Sequence, residues 1–132
     1  MTRKKILLAE DDEDDREIFF EFLRSRSDIV LLPVAADGVM LMDQLKAITD
    51  PSALPDFIIL DQNMPRQNGI QTLHLIKADP CYAHIPVVIY STYVDEVLMK
   101  KGTEAGARLV APKPFSREGY DKMVNLFLKA HD

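Results

Sequence analysis

Carboxylates close two apolar runs of this chain, and a lysine closes a third. Ile6-Leu7-Leu8-Ala9 stops at Glu10-Asp11-Asp12, and Phe57-Ile58-Ile59-Leu60 stops at Asp61. Lys113 follows the run that ends near Ala111, with Pro112 and Pro114 on either side. Two hydroxyls, Ser91 and Thr92, follow the run Ile85 to Tyr90. Carboxylates crowded together raise one another's pKa unless a cation sits among them. An Asp carboxylate can also act as a nucleophile and form a covalent intermediate. A lysine supplies fixed positive charge to an anionic group. These residues make one site only if the fold brings the ends of the apolar runs together.

The patterning says that it does. Short unbroken apolar runs are the signature of buried strands in a parallel sheet, covered by helices on both faces. In an open α/β sheet, the ligand crevice lies outside the carboxyl ends of such strands. The segments between the runs carry helical spacing. Asp14 to about Arg24 places Ile18, Phe19, Phe22 and Leu23 on one stripe. Ile29 to Val34 reads as a second strand, and Pro33 suits it to a sheet edge. Asp37-Gly38 is a turn, and helix resumes from Val39 to about Ile48. The loop Asp50 to Pro55 leads into the strand ending at Asp61, and the long loop Asn63 to Gly69 precedes a helix from Ile70 to Lys77. A fourth strand, Ile85 to Tyr90, is followed by helix from Val94 to Glu104. A fifth, Ala107 to Ala111, is followed by a helix that Ser116 caps. Five β-α units define a doubly wound α/β fold around a five-stranded parallel sheet.

Composition sets the boundaries. At 132 residues the chain fits one domain, with 47% apolar and 28% charged residues as in ordinary globular proteins. No apolar stretch reaches the roughly 18 residues that cross a bilayer. Arg3-Lys4-Lys5 is followed by only four apolar residues before Glu10, so the start is no signal peptide. The lone Cys81 excludes an intrachain disulfide and fits a reducing compartment. A net charge of −5 argues against non-specific nucleic-acid binding. The expectation is a cytoplasmic domain without nucleic-acid or membrane partners. Arg16 and Lys100-Lys101 read as solvated surface.

The residues Glu10-Asp11, Asp61-Gln62-Asn63-Met64-Pro65 with Gly69, Ser91-Thr92 and Lys113-Pro114-Phe115 resemble the receiver domain of two-component response regulators. The resemblance covers essentially the whole chain and implies a flavodoxin-like strand order 2-1-3-4-5. It implies that Asp61 accepts a phosphoryl group from a histidine kinase or a histidine phosphotransfer protein. It also implies a Mg²⁺ ion, since hard oxygen ligands and a phosphate-bearing substrate favour that cation. Asp11 and Asp61 are the expected direct ligands, with the Asn63 backbone carbonyl as a third and Glu10 acting through water. Asp12 competes with Asp11, because the acidic run offers two registers. Asp14 and Asp15 read as first-turn acids of a helix. By the same resemblance Lys113 contacts a phosphoryl oxygen, its following peptide bond is cis, and Ser91 donates a hydrogen bond, with Thr92 as the alternative.

Two positions depart from the family pattern. Val110 stands where an aromatic side chain often swings inward, so coupling runs instead through the backbone, Tyr90 or Tyr93. Thr92 is bulkier than the usual neighbour of the hydroxyl, and Tyr93 and Asn63 flank the expected water path. Little chain remains after Phe115, so residues 1–132 are expected to form a single domain without a covalent output domain. Output is then a downstream protein contact or onward phosphoryl transfer, with a homodimer compatible. Enzymatic activity is limited to self-phosphorylation chemistry and slow autodephosphorylation. An aspartyl phosphatase would want a second Asp where Asn63 stands, and a flavin module would want a phosphate-cradling loop where the acidic run stands. A receiver-like interaction module working without phosphorylation is the remaining alternative.

Overall fold

A computed structural model describes residues 3–131. Its strands are β1 (Lys4–Ala9), β2 (Ile29–Leu31), β3 (Phe57–Asp61), β4 (Val87–Ser91) and β5 (Leu109–Pro112). They alternate with helices α1 (Glu13–Leu23), α2 (Gly38–Ala47), α3 (Gly69–Ala78), α4 (Glu96–Glu104) and α5 (Arg117–His131). All pairings are parallel, in the order β2-β1-β3-β4-β5. The doubly wound order expected from the sequence is the order observed.

The central strands are apolar on both faces because both faces are covered. Ile6, Leu8, Phe57, Ile59, Val88 and Tyr90 point to one side, where Phe19 and Leu23 of α1 and Tyr120 and Val124 of α5 pack. Leu7, Ala9, Ile58, Leu60, Val87 and Ile89 point to the other, against Leu41 and Leu45 of α2 and Leu73 and Ile76 of α3. The period of two in the strands thus divides one sheet between two cores. Each fully buried Leu, Ile or Phe contributes about 1.5–3 kcal/mol relative to exposure.

Helix starts follow from side chains that satisfy the first free N–H groups. Asp12, Asp37 and Asp95 accept from the third residue beyond them, opening α1, α2 and α4. Asn68 and Gln71 form a reciprocal capping box at α3. The expected cap at Ser116 is present, its hydroxyl accepting from the Gly119 N–H at 3.1 Å.

Several bounds differ from the sequence reading: β4 and β5 begin at Val87 and Leu109 rather than at Ile85 and Ala107, and α4 begins at Glu96 rather than at Val94. β2 ends at Leu31 rather than Val34. The Leu32 N–H still reaches the Ile6 carbonyl, but the next bond to β1 comes three residues on, from Ala35 to Leu8. The regular ladder thus lapses around the exposed Pro33, and Ala35 rejoins as an isolated bridge to Ala9. The loop at Asp50 also contains a 3₁₀ turn, Pro51–Ala53, capped by the Asp50 carboxylate.

Candidate functional site

Parallel pairing brings the carboxyl ends of β1, β3, β4 and β5 to one edge of the sheet. Glu10 follows β1, Asp61 and Ser91 close β3 and β4, and Lys113 follows β5. The Lys113 N–H donates to the Ser91 carbonyl at 2.8 Å, extending the β4–β5 ladder and aiming the lysine into the site. Gly69 opens α3 directly beneath the edge. A Cβ there would lie 2.9 Å from the Asp61 carbonyl oxygen, so glycine lets the helix approach this closely.

Asp61 is 1% exposed. Its carboxylate accepts from the Asn63 N–H at 3.1 Å and faces the Lys113 ammonium at 3.3 Å. Burial, followed by the hydrogen bond and charge of Glu10, pushes Asp61 up to about 8, against the opposing pull of Lys113 and the Asn63 N–H. Lys113 also reaches Glu10 at 3.0 Å and Asp15 at 2.9 Å. Burial works against its charge, but the hydrogen bonds it donates to Asp15 and Glu10 and the charge of Asp61 outweigh it and hold the ammonium above its ordinary pKa. One ammonium thus serves three carboxylates.

Glu10, Asp11 and Asp61 each offer a carboxylate oxygen within 4.8 Å of the others. This set of hard oxygens, crowded by burial and by one another's charge, has the donor chemistry for a divalent cation, which would relieve that crowding. Asp12 faces elsewhere: its carboxylate accepts the Asp15 N–H at 2.9 Å as the cap of α1. Ser91 is buried, and its hydroxyl accepts from the Asn63 side-chain amide at 3.3 Å. Thr92 and Tyr93 are exposed.

The expectation of a cis peptide after Lys113 is overturned. No cis bond occurs among the described residues, so Lys113–Pro114 is trans, the isomer X-Pro bonds favour by about 0.5–1 kcal/mol. The lysine reaches the carboxylates in that geometry. Val110 is buried, and Gly102 of α4 packs straight onto it; a Cβ at Gly102 would come within 2.5 Å of a Val110 methyl. Arg16 is less solvated than its sequence context implies, with its Nε buried and without a hydrogen-bond partner. Lys100 and Lys101 are exposed.

Several contacts were not legible in the sequence. Asp15 is a first-turn acid as expected, yet it also grips Lys113 across 98 residues. Tyr90 donates to Glu10 at 2.5 Å from the adjacent core. The Gln62 side-chain carbonyl accepts from the Ile70 N–H, tying α3 to the end of β3. Arg66, at a left-handed φ of 63°, makes a two-point pair with Asp37 at 2.7 and 3.1 Å. That contact holds the Asp37 carboxyl below its usual range. The only sequence signals for these contacts were an acid in the first helical turn and a polar group inside an apolar run.

The family described as response regulator receiver domain matches residues 6–125. The chain is 37% identical over 118 residues to a protein-glutamate methylesterase/protein-glutamine glutaminase of Rhodopseudomonas palustris, covering 86% of this chain and 30% of that protein. Among solved structures it resembles the Mn²⁺-bound response regulator Rcp1, with 30% identity, a TM-score of 0.78, and 94% of this chain and 91% of that one covered. It also resembles the phosphorylated cyanobacterial phytochrome response regulator RcpA, with 27% identity, a TM-score of 0.80, and 96% and 91% covered. The chain spans 7–30% of the length of three curated relatives it matches.

The chain belongs to the response-regulator receiver domain family. It is a phosphoacceptor module of two-component signalling, a family whose members take phosphoryl groups from histidine kinases, act on downstream targets and bind a divalent metal at an acidic pocket. No helix among the described residues is long and apolar enough to cross a membrane.

Proposed function

We propose that Asp61 is the phosphoacceptor, and that the chain works as a single cytoplasmic receiver whose phosphorylation changes a protein-binding face. The observation that carries this reading is the placement of Asp61. It is buried at the end of β3, within 4.8 Å of the Glu10 and Asp11 carboxylates and 3.3 Å from the Lys113 ammonium. In the reaction an Asp61 carboxylate oxygen attacks the phosphorus of a phosphohistidine. The new O–P bond forms as the P–N bond breaks, and the electron pair leaves on the imidazole, which takes a proton from solvent.

Asp11 and Asp61, with the Asn63 carbonyl and Glu10 through water, would hold Mg²⁺. The cation supplies the positive charge that lets a carboxylate meet an anionic phosphoryl group. Lys113 transfers from the Asp61 carboxylate to a phosphoryl oxygen, adding a fixed charge where charge accumulates. The Ser91 hydroxyl donates to another phosphoryl oxygen. Thr92 and Tyr93, at the mouth of the site, limit the approach of the water that hydrolyses the acyl phosphate.

The added group carries roughly −1.5 to −2 charge units. It shifts the population of the face made by α4, β5 and α5, where Tyr93, Val97, Met99 and Phe115 are exposed. That face receives a downstream protein or a second copy of the chain. The phosphoryl donor is a histidine kinase or a histidine phosphotransfer protein. The domain itself performs no catalysis beyond its own phosphorylation and slow dephosphorylation.

The test is intact mass after incubation with acetyl phosphate and Mg²⁺. Wild type gains one phosphoryl group, whereas Asp61→Asn and the metal-free protein gain none. A gain on the Asp61→Asn variant would move the acceptor elsewhere.

A further inference from the structure

Tyr90 has no place in the chemistry above, yet it is the aromatic residue that touches the site from within the core. It is fully buried on β4, next to Ser91, and pairs in register with Asp61 on one side and Ala111 on the other. Its hydroxyl lies 2.5 Å from Glu10 Oε1, and the Lys113 ammonium sits 5.2 Å from the centre of its ring. Phe19 of α1 packs edge-to-face with the ring, the centroids 6.4 Å apart.

We infer that Tyr90 is a positioning residue for the phosphoryl-acceptor site, acting through Glu10; the inference rests on the metal and acceptor roles proposed above. Glu10 is fully buried, so its oxygens depend on protein donors held close around it. Its Oε2 takes the Asp12 N–H at 3.1 Å, and its Oε1 takes the Tyr90 O–H and the Lys113 ammonium. An ionised carboxylate only accepts, so the tyrosine is the donor in its contact. Two fixed donors on opposite oxygens set the plane of the carboxylate and so the direction in which it faces the neighbouring acids.

The hydroxyl has a second consequence. Lys113 is shared among Glu10, Asp15 and Asp61, and on phosphorylation it turns to the phosphoryl group. A buried carboxylate that loses its only side-chain donor is costly. With Tyr90 present, Glu10 keeps a charge-assisted hydrogen bond when the lysine leaves, and the ring face still borders the path of the ammonium. An aliphatic residue at this position would do neither, and phenylalanine would keep the ring face but not the hydrogen bond to Glu10. Outer partners of metal-ligating groups are commonly worth 10–100-fold in metal affinity.

The experiment is a Mn²⁺ titration of the full chain, without phosphodonor, followed by water-proton relaxation. It compares wild type, Asp11→Asn, Tyr90→Phe and Val88→Ala. Tyr90→Phe keeps the ring in the core and removes only the hydroxyl. Val88→Ala opens a cavity on the same face of β4 without touching Glu10, and controls for loosening of the strand. The expected result is a loss of roughly tenfold in affinity for Tyr90→Phe and less than about twofold for Val88→Ala. Affinity unchanged in Tyr90→Phe, or lowered equally in both core variants, would overturn the positioning role while leaving the site itself standing. Wild type that binds no Mn²⁺, or Asp11→Asn that binds as well as wild type, would overturn the metal site and the inference with it.

Discussion

At the scale of single residues, the site is an excess of buried negative charge held by one lysine. Asp61 carries most of the imbalance, because it is buried and faces Glu10. In Asp61→Asn the like-charge contact disappears, while Lys113 keeps Glu10 and Asp15. The metal-free variant is therefore expected to be more stable than wild type by about 1–2 kcal/mol, since replacing buried charge is often stabilising. Urea unfolding in a chelator checks this, beside the loss of phosphorylation. Lys113→Ala has the opposite sign. It leaves buried carboxylates without their counter-charge and is expected to cost about 3 kcal/mol or more near pH 8, measured the same way.

At the scale of elements, neighbouring acids serve different ends. Asp12 is tied to the first turn of α1, whereas Asp11 lies with Glu10 and Asp61. Asp12→Ala is expected to lose about 1 kcal/mol of stability with metal affinity nearly unchanged. Asp11→Asn should lose affinity with stability nearly unchanged. Calorimetric Mg²⁺ titration and thermal unfolding of both variants separate the roles. The contact of α4 with β5 is equally local. Gly102 gives the helix a weak interior residue but lets it rest on the Val110 methyl. Gly102→Ala is expected to destabilise by about 1–2 kcal/mol despite the better helix propensity of alanine, because the added methyl meets a stiff β-branched side chain.

At the scale of the whole molecule, stability is coupled to pH and to the cation. Asp61 has a folded pKa raised to about 8, above an unfolded value near 3.9. Its protonation therefore favours the folded state fully below about pH 4, and that contribution is lost as pH rises through about 8. Metal-free protein is expected to lose stability across that window relative to Asp61→Asn, and Mg²⁺ to restore it more strongly at pH 8 than at pH 6. Thermal unfolding at both pH values, with and without Mg²⁺, checks the sign. A wild type and Asp61→Asn with parallel pH profiles would show that Asp61 is not the group responsible.

Much of this was legible in the linear chain because it depends on local rules. Unbroken apolar runs such as Phe57 to Leu60 mark strands covered on both faces. Acids at the ends of such runs mark the sheet edge, and Ser116 marks the start of the last helix, whereas the capping roles of Asp12 and Asp37 emerged only from the structure. That Ser91 is buried and Thr92 exposed is a property of the sheet, since β4 ends at Ser91 and both of its faces are covered only that far. The Lys113–Asp15 and Tyr90–Glu10 contacts join residues 98 and 80 positions apart. No local pattern encodes them, because each depends on where two separately formed elements meet. The trans peptide after Lys113 is likewise a matter of assembly: the energy difference between isomers is small, and packing around the site selects between them. Sequence determined which groups stand at the edge of the sheet. Only the tertiary structure decided which carboxylates share the lysine, because desolvation and charge act through space.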